Sequence, residues 1–169
     1  THTGHTAPGF HGRVTFGSNE YFSPSLSYGY ADDKWDLYTA LSFISTDGNR
    51  SSVNSGTAKW GFISTGYQWN AQNETRLIVD IQDHDWQNGS TLTLAELLAD
   101  PKRNKRDPSS PNFEIPHMRV SLNHNLKTNE WGNFSFGAFY QRNDYNFPFS
   151  AFGFFEDTWE EVGLVARNE

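Results

Sequence analysis

Side chains along most of this chain alternate between apolar and polar with a period of two, and an extended strand is the backbone form that sorts such residues onto opposite faces. In Tyr21–Tyr30, Phe22, Leu26, Tyr28 and Tyr30 share one face while Ser23, Ser25, Ser27 and Gly29 share the other. Leu77, Val79 and Ile81 oppose Arg76, Asp80, Gln82 and His84, and Met118, Val120, Leu122 and Leu126 oppose His117, Arg119, Ser121 and Asn123. The same rhythm runs through Phe10–Phe16, Trp35–Phe43, Ile63–Trp69, Phe134–Gln141 and Thr158–Arg167. The pattern predicts an all-β antiparallel up-and-down meander of about eight strands.

The links between these runs differ in length. Ala31–Lys34, Ala71–Glu74 and Lys127–Glu130 read as tight polar turns, whereas Ser45–Thr57, Asn88–Asn112 and Asn143–Asp157 read as long links. The link near Ser18–Glu20 is short where the rhythm asks for a long one. One segment is helical: in Thr91–Asp100, Thr93 followed by Glu96 makes a capping box and Pro101 stops the helix. It lies inside the longest loop, directly before the basic stretch Lys102–Arg106.

Composition narrows the classes. Thirteen basic against 20 acidic residues give a net charge of -7, which argues against a nucleic-acid binder. Absence of cysteine removes disulfides, thiolate metal sites and a cysteine nucleophile. No apolar run approaches the ~18 residues of a transmembrane helix. Aromatics make up 16% of the chain although mean hydropathy is -0.71. That mixture suits a sheet with one greasy and one wet face, either a membrane barrel wall or a carbohydrate-binding β-sandwich. Tyr28, Tyr30 and Trp35, then Tyr67 and Trp69, then Trp131 flank the three tight turns, as an interfacial girdle would.

No enzymatic motif emerges, and neither a cofactor nor a metal is expected. Asp83 and Asp85 face away from His84, His117 and His124 face apart at an odd offset, and Glu160 and Glu161 point to opposite sides. His2, His5 and His11 lie in or beside a leader expected to be flexible. No nucleophile elbow, P-loop, dinucleotide fingerprint or zincin motif occurs.

The order of pieces resembles the TonB-dependent outer-membrane receptors, at the early strands of their barrel. Pro8-Gly9-Phe10-His11-Gly12-Arg13-Val14 is similar to the step from plug to first strand. Ser45-Thr46-Asp47-Gly48-Asn49-Arg50-Ser51-Ser52 is similar to the family's "DGYR…NS" stretch, and Trp69-Asn70 with Thr75-Arg76-Leu77 follows in order. Leu92–Pro101 looks like the third outer loop of ferric-citrate and siderophore receptors. The resemblance implies a sector of a large transmembrane barrel of 22 strands with a plugged lumen. Residues 1–8 would be the leader from plug to barrel and residues 9–169 the first barrel strands, with plug and later strands outside this chain. A complete eight-stranded outer-membrane barrel is the neighbouring alternative, and a soluble glycan-binding β-sandwich comes from a different class.

The resemblance also implies a function: energy-coupled uptake of a ferric chelate across the outer membrane of a Gram-negative bacterium. Its partners would be the chelate, outer-membrane lipid, and a TonB complex reached through the parent's N-terminal region. Arg13, Arg76, Asp80, His84, Arg119 and Arg167 would face the lumen or plug. Anionic chelates would be drawn to basic outer-loop groups, for which Arg50, Lys102, Arg103, Lys105, Arg106 and Arg142 are candidates, flanked by Trp86 and Tyr145. A charged loop of this kind also serves simply to stay solvated or to meet lipopolysaccharide.

Overall fold

The computed structural model describes residues 2–50, 55–87, 89–107, 111–128, 131–149 and 153–168. Its strands are β1 (Gly9–Phe16), β2 (Phe22–Ala31), β3 (Trp35–Thr46), β4 (Gly56–Asn70), β5 (Asn73–Trp86), β6 (Phe113–Glu114), β7 (His117–Thr128), β8 (Gly132–Phe149) and β9 (Gly153–Asn168). All belong to one antiparallel sheet. The long strands pair in chain order, β5 with β7 across the helical loop, so the meander expected from the alternation is the fold. β6 pairs with both β5 and β8 and continues the line of β7, with the break at Ile115-Pro116. Proline has no N–H to give to a ladder, which places the interruption there.

Each tight turn is closed by a polar side chain. Asp32 Oδ1 accepts the N–H groups of Lys34 (2.8 Å) and Trp35 (2.7 Å), and these bonds hold its carboxyl below the usual carboxylate range. Asn70 Oδ1 accepts from Gln72 N–H (2.9 Å), and Thr128 Oγ1 accepts from Trp131 N–H (3.0 Å). At the opposite rim the 47–55 and 87–112 links are long. The third expected long link is different. Asn143–Phe149 and Gly153–Asp157 are paired, so this part of Asn143–Asp157 is strand. The polar letters Asn143, Asp144 and Asn146 read as loop, but neighbouring aromatics at Tyr145, Phe147 and Phe155 pack well on a pleated surface and keep the ladder going.

Helix α1 (Leu94–Ala99) forms as expected, with Thr93 as N-cap and Glu96 completing the capping box. Asp100 is its C-cap, directly before Pro101.

The sheet is one layer. Among the described residues only Tyr38 and Ala40 are buried hydrophobics. Register aligns the apolar face into rows that cross the sheet. One row reads Phe10, Tyr28, Thr39, Ile63, Val79, Val120, Tyr140, Val162, and the next toward the tight turns reads Tyr30, Leu37, Thr65, Leu77, Leu122, Ala138, Leu164. Leu41, Ile63, Ile81, Leu122 and Leu164 are all exposed on it.

Candidate functional site

The opposite, polar face carries most of the ionisable side chains. Arg76 of β5 donates from Nη1 to Asp36 Oδ1 (2.9 Å) and from Nη2 to Asp36 Oδ2 (2.6 Å), although β4 lies between their strands. Nη1 also donates to Ser64 Oγ (2.9 Å) and Nη2 to Glu74 Oε1 (2.7 Å). The β4 position between Asp36 and Arg76 is Gly66, and a Cβ there would collide with both side chains. Gly4 N–H reaches Asp36 Oδ1 (3.2 Å), tying the leader to this cluster at the tight-turn rim. His2 lies against the Tyr38 ring with centroids 5.4 Å apart, so the leader is packed where a flexible segment was expected.

Midway along the face, Asp80 accepts from Trp60 Nε1 (2.6 Å) and Gln82 Nε2 (2.7 Å). Arg119 lies over the Phe139 ring, 4.8 Å from its centroid. Arg76, Asp80, Arg119 and Arg167 line one hollow of about 560 Å³, together with Asn123, Asn125 and Ser135. The six residues expected on one face, Arg13, Arg76, Asp80, His84, Arg119 and Arg167, share it by strand register; Arg13 stands far off on β1 and His84 nearer the long-loop rim.

At the long-loop end the same face turns aromatic. Phe113 meets Phe147 edge-on at 5.4 Å, Tyr145 stacks on Phe147 at 5.9 Å, and Phe147 contacts Phe155 at 6.4 Å. Trp86 pairs with Phe113 across the ladder, its ring lying over Gly56. Arg106 sits 5.7 Å above the Phe113 ring. Trp86, Tyr145 and Arg106, singled out in the sequence, are therefore brought into one neighbourhood. Phe113, Phe147, Phe155 and Trp159 were missed there. The signal for Phe147 and Phe155 was their period-two spacing with Tyr145 inside the stretch Asn143–Asp157 read as loop, and for Trp159 its place in the alternating run Thr158–Arg167.

The basic candidates fare differently. Lys105 Nζ pairs with Glu96 Oε1 (2.6 Å), and this bond with the Thr93 N–H lowers the Glu96 carboxyl from its ordinary 4.5 to about 2. Arg50 Nη1 donates to Ser90 O (2.5 Å), and Arg106 Nη2 donates to Pro111 O. Arg142 lies within β8 on the apolar side, where Nε donates to Asp144 Oδ2 (3.0 Å) and Nη1 pairs with Glu160 Oε1 (3.6 Å). Tyr145 is likewise in β8 and Trp86 ends β5, so these three are strand and not loop residues. Lys102 and Arg103 are exposed and have no side-chain partner among the described residues. The long loop thus uses two of its cations, Lys105 and Arg106, to hold its own shape, and Arg50 ties the 47–55 link to it.

Among the described residues no cluster of His, Asp and Glu is arranged to hold a metal ion. No helix is long and apolar enough to cross a membrane, which says nothing of crossing by strands. The chain matches no known family model, no curated protein and no solved structure.

Proposed function

We propose that this chain is a wall sector of an outer-membrane β-barrel receptor of the TonB-dependent kind, serving energy-coupled uptake of a large solute through a polar lumen. The apolar face meets lipid and the polar face meets lumen or plug. A ferric chelate is the solute that the resemblance implies. The TonB complex is the implied energy source, acting through a part of the receptor outside residues 1–169.

One observation carries the reading: the exposed apolar face is a band that runs obliquely to the hydrogen-bond rows. The outermost apolar residue of β2 on this face is Phe22, and that of β8 is Tyr140, whose row meets β2 at Tyr28. Beyond them the row of Phe22 reads Ser45, Thr57, Asp85, Glu114, Asn146, Glu156. The band's edge therefore drops by six residues, 28 minus 22, between β2 and β8. That is about 20 Å along the strands over five interstrand steps of about 4.8 Å each, a slant of roughly 40°. Strands of outer-membrane barrels tilt by about 35–45° to the membrane normal, so a level slab of hydrocarbon accounts for the slant. On β3 the band spans Trp35 to Phe43, matching the ~9–11 residues of a tilted spanning strand. A glycan-binding sandwich would cover this face with a second sheet, and none is present among the described residues.

β1 pairs only with β2 and β9 only with β8 among the described residues, so both outer ladders are open. Further strands on each side close them in the large-barrel reading. Cell fractionation and detergent dependence test the proposal. The full polypeptide is expected in the outer-membrane fraction, soluble only with detergent, with uptake lost when the proton-motive force is collapsed. A protein that stays monodisperse in plain buffer contradicts it.

A further inference from the structure

We propose that the aromatic end of the polar face is a saccharide-binding shelf, and that the solute this wall handles presents neutral sugar rings instead of a polyanionic surface. The inference rests on reading that face as the lumen wall. Trp159 and Phe155 are 45% and 49% exposed and point to one side of β9, four residues apart. Phe155 is backed by Phe147, which Phe113 and Tyr145 hold in place. Such pre-set rings offer stacking area with little further ordering.

Polar partners stand beside the rings. Trp159 shares a cross-strand row with Asn143 and His117, whose side chains meet at 2.6 Å (Nδ1 to Oδ1). In the next row Gln141 Nε2 donates to Glu161 Oε2 (3.0 Å). Amide and carboxylate groups at the margin of an aromatic platform are what a sugar needs: its C–H face meets the negative π cloud while its hydroxyls donate to oxygen acceptors.

Charge decides against a polyanion. Asp157 stands between Phe155 and Trp159 on the same side of β9 and Glu161 follows on that side, so carboxylates flank both rings, whereas Arg119 lies over the Phe139 ring and reaches this row only from β7, two strands away. An anionic chelate docking on these two rings would meet Asp157 and Glu161 first, whereas a neutral polyol would meet acceptors.

Titration calorimetry on the full polypeptide in detergent, with maltoheptaose, xylohexaose and chitopentaose as probes and ferric citrate as the anionic arm, tests this. At least one oligosaccharide is expected to bind, with affinity falling about tenfold or more in Trp159→Ala and largely kept in Trp159→Phe. Trp131→Ala, at the opposite rim, should change nothing. Failure of every oligosaccharide, equal affinity in Trp159→Ala, or ferric citrate binding that depends on Trp159 overturns the shelf. A lipid-embedded protein that binds no sugar removes the shelf alone. A sugar-binding protein that needs no detergent removes the barrel reading and keeps the shelf.

Discussion

Asp36 and Arg76 are joined by a two-pronged ion pair of 2.9 and 2.6 Å across an intervening strand, and the absence of a side chain at Gly66 makes room for it. Their side chains are 6% and 14% exposed, so each charge depends on the other and on Ser64, Glu74 and Gly4. Arg76→Ala leaves a carboxylate enclosed without its partner and is expected to destabilise the fold by about 3–5 kcal/mol. Asp36→Leu with Arg76→Met, which removes both charges, should recover most of that loss. Denaturant unfolding in detergent measures both, and Gly66→Ala should behave like the single Arg76 variant.

The helical loop should respond to acid. Glu96 has a folded value lowered to about 2 from 4.5, so its contribution to loop order is complete above about 4.5 and disappears as pH falls through about 2. Protection factors of the Leu94–Ala99 amides, taken relative to the intrinsic exchange rate at each pH, are expected to fall between pH 4.5 and pH 2. Glu96→Gln should show fast exchange already at neutral pH, because the Lys105 pair is gone.

The β1–β2 link holds Asn19 and Glu20 at φ of 59° and 55°. Asparagine tolerates that region, but glutamate has no compensating local bond. Asn19 O also accepts Asp47 N–H (2.9 Å), so the 47–55 loop holds the turn in place. Glu20→Gly is expected to stabilise by about 0.5–1 kcal/mol, read as a higher denaturant midpoint.

Charge placed on the apolar face should separate it from its polar partner. Leu122 and Ser121 are adjacent on β7 but face opposite ways. Leu122→Arg is expected to cost about 2–4 kcal/mol in a bilayer, and Ser121→Arg much less, because only the first meets hydrocarbon. Unfolding from lipid vesicles distinguishes them.

Much of this was legible in the letters. Period two placed Leu77, Val79 and Ile81 opposite Arg76, Asp80 and His84, and Thr93 with Glu96 set the helix start. The same spacing would have put Arg142 on the side of Phe136, Ala138 and Tyr140, had Asn143–Asp157 not looked like loop. Asp36 with Arg76 was not readable, because it depends on β4 presenting Gly66 between them. Nor were the partners of Arg50, Lys105 and Arg106, since alternation sets strand faces and says nothing of how a long loop folds on itself.

Because the chain has no cysteine, single cysteines can be placed at will along β7 and spin-labelled. Accessibility to oxygen, which partitions into lipid, against a water-soluble nickel chelate is the direct measurement, taken at Met118, Arg119, Val120, Ser121, Leu122 and Asn123 in bilayers. Oxygen contact at the even positions with nickel contact at the odd ones is the predicted result. Even positions shielded from both reagents would place them beneath a second protein layer and contradict a lipid-facing wall.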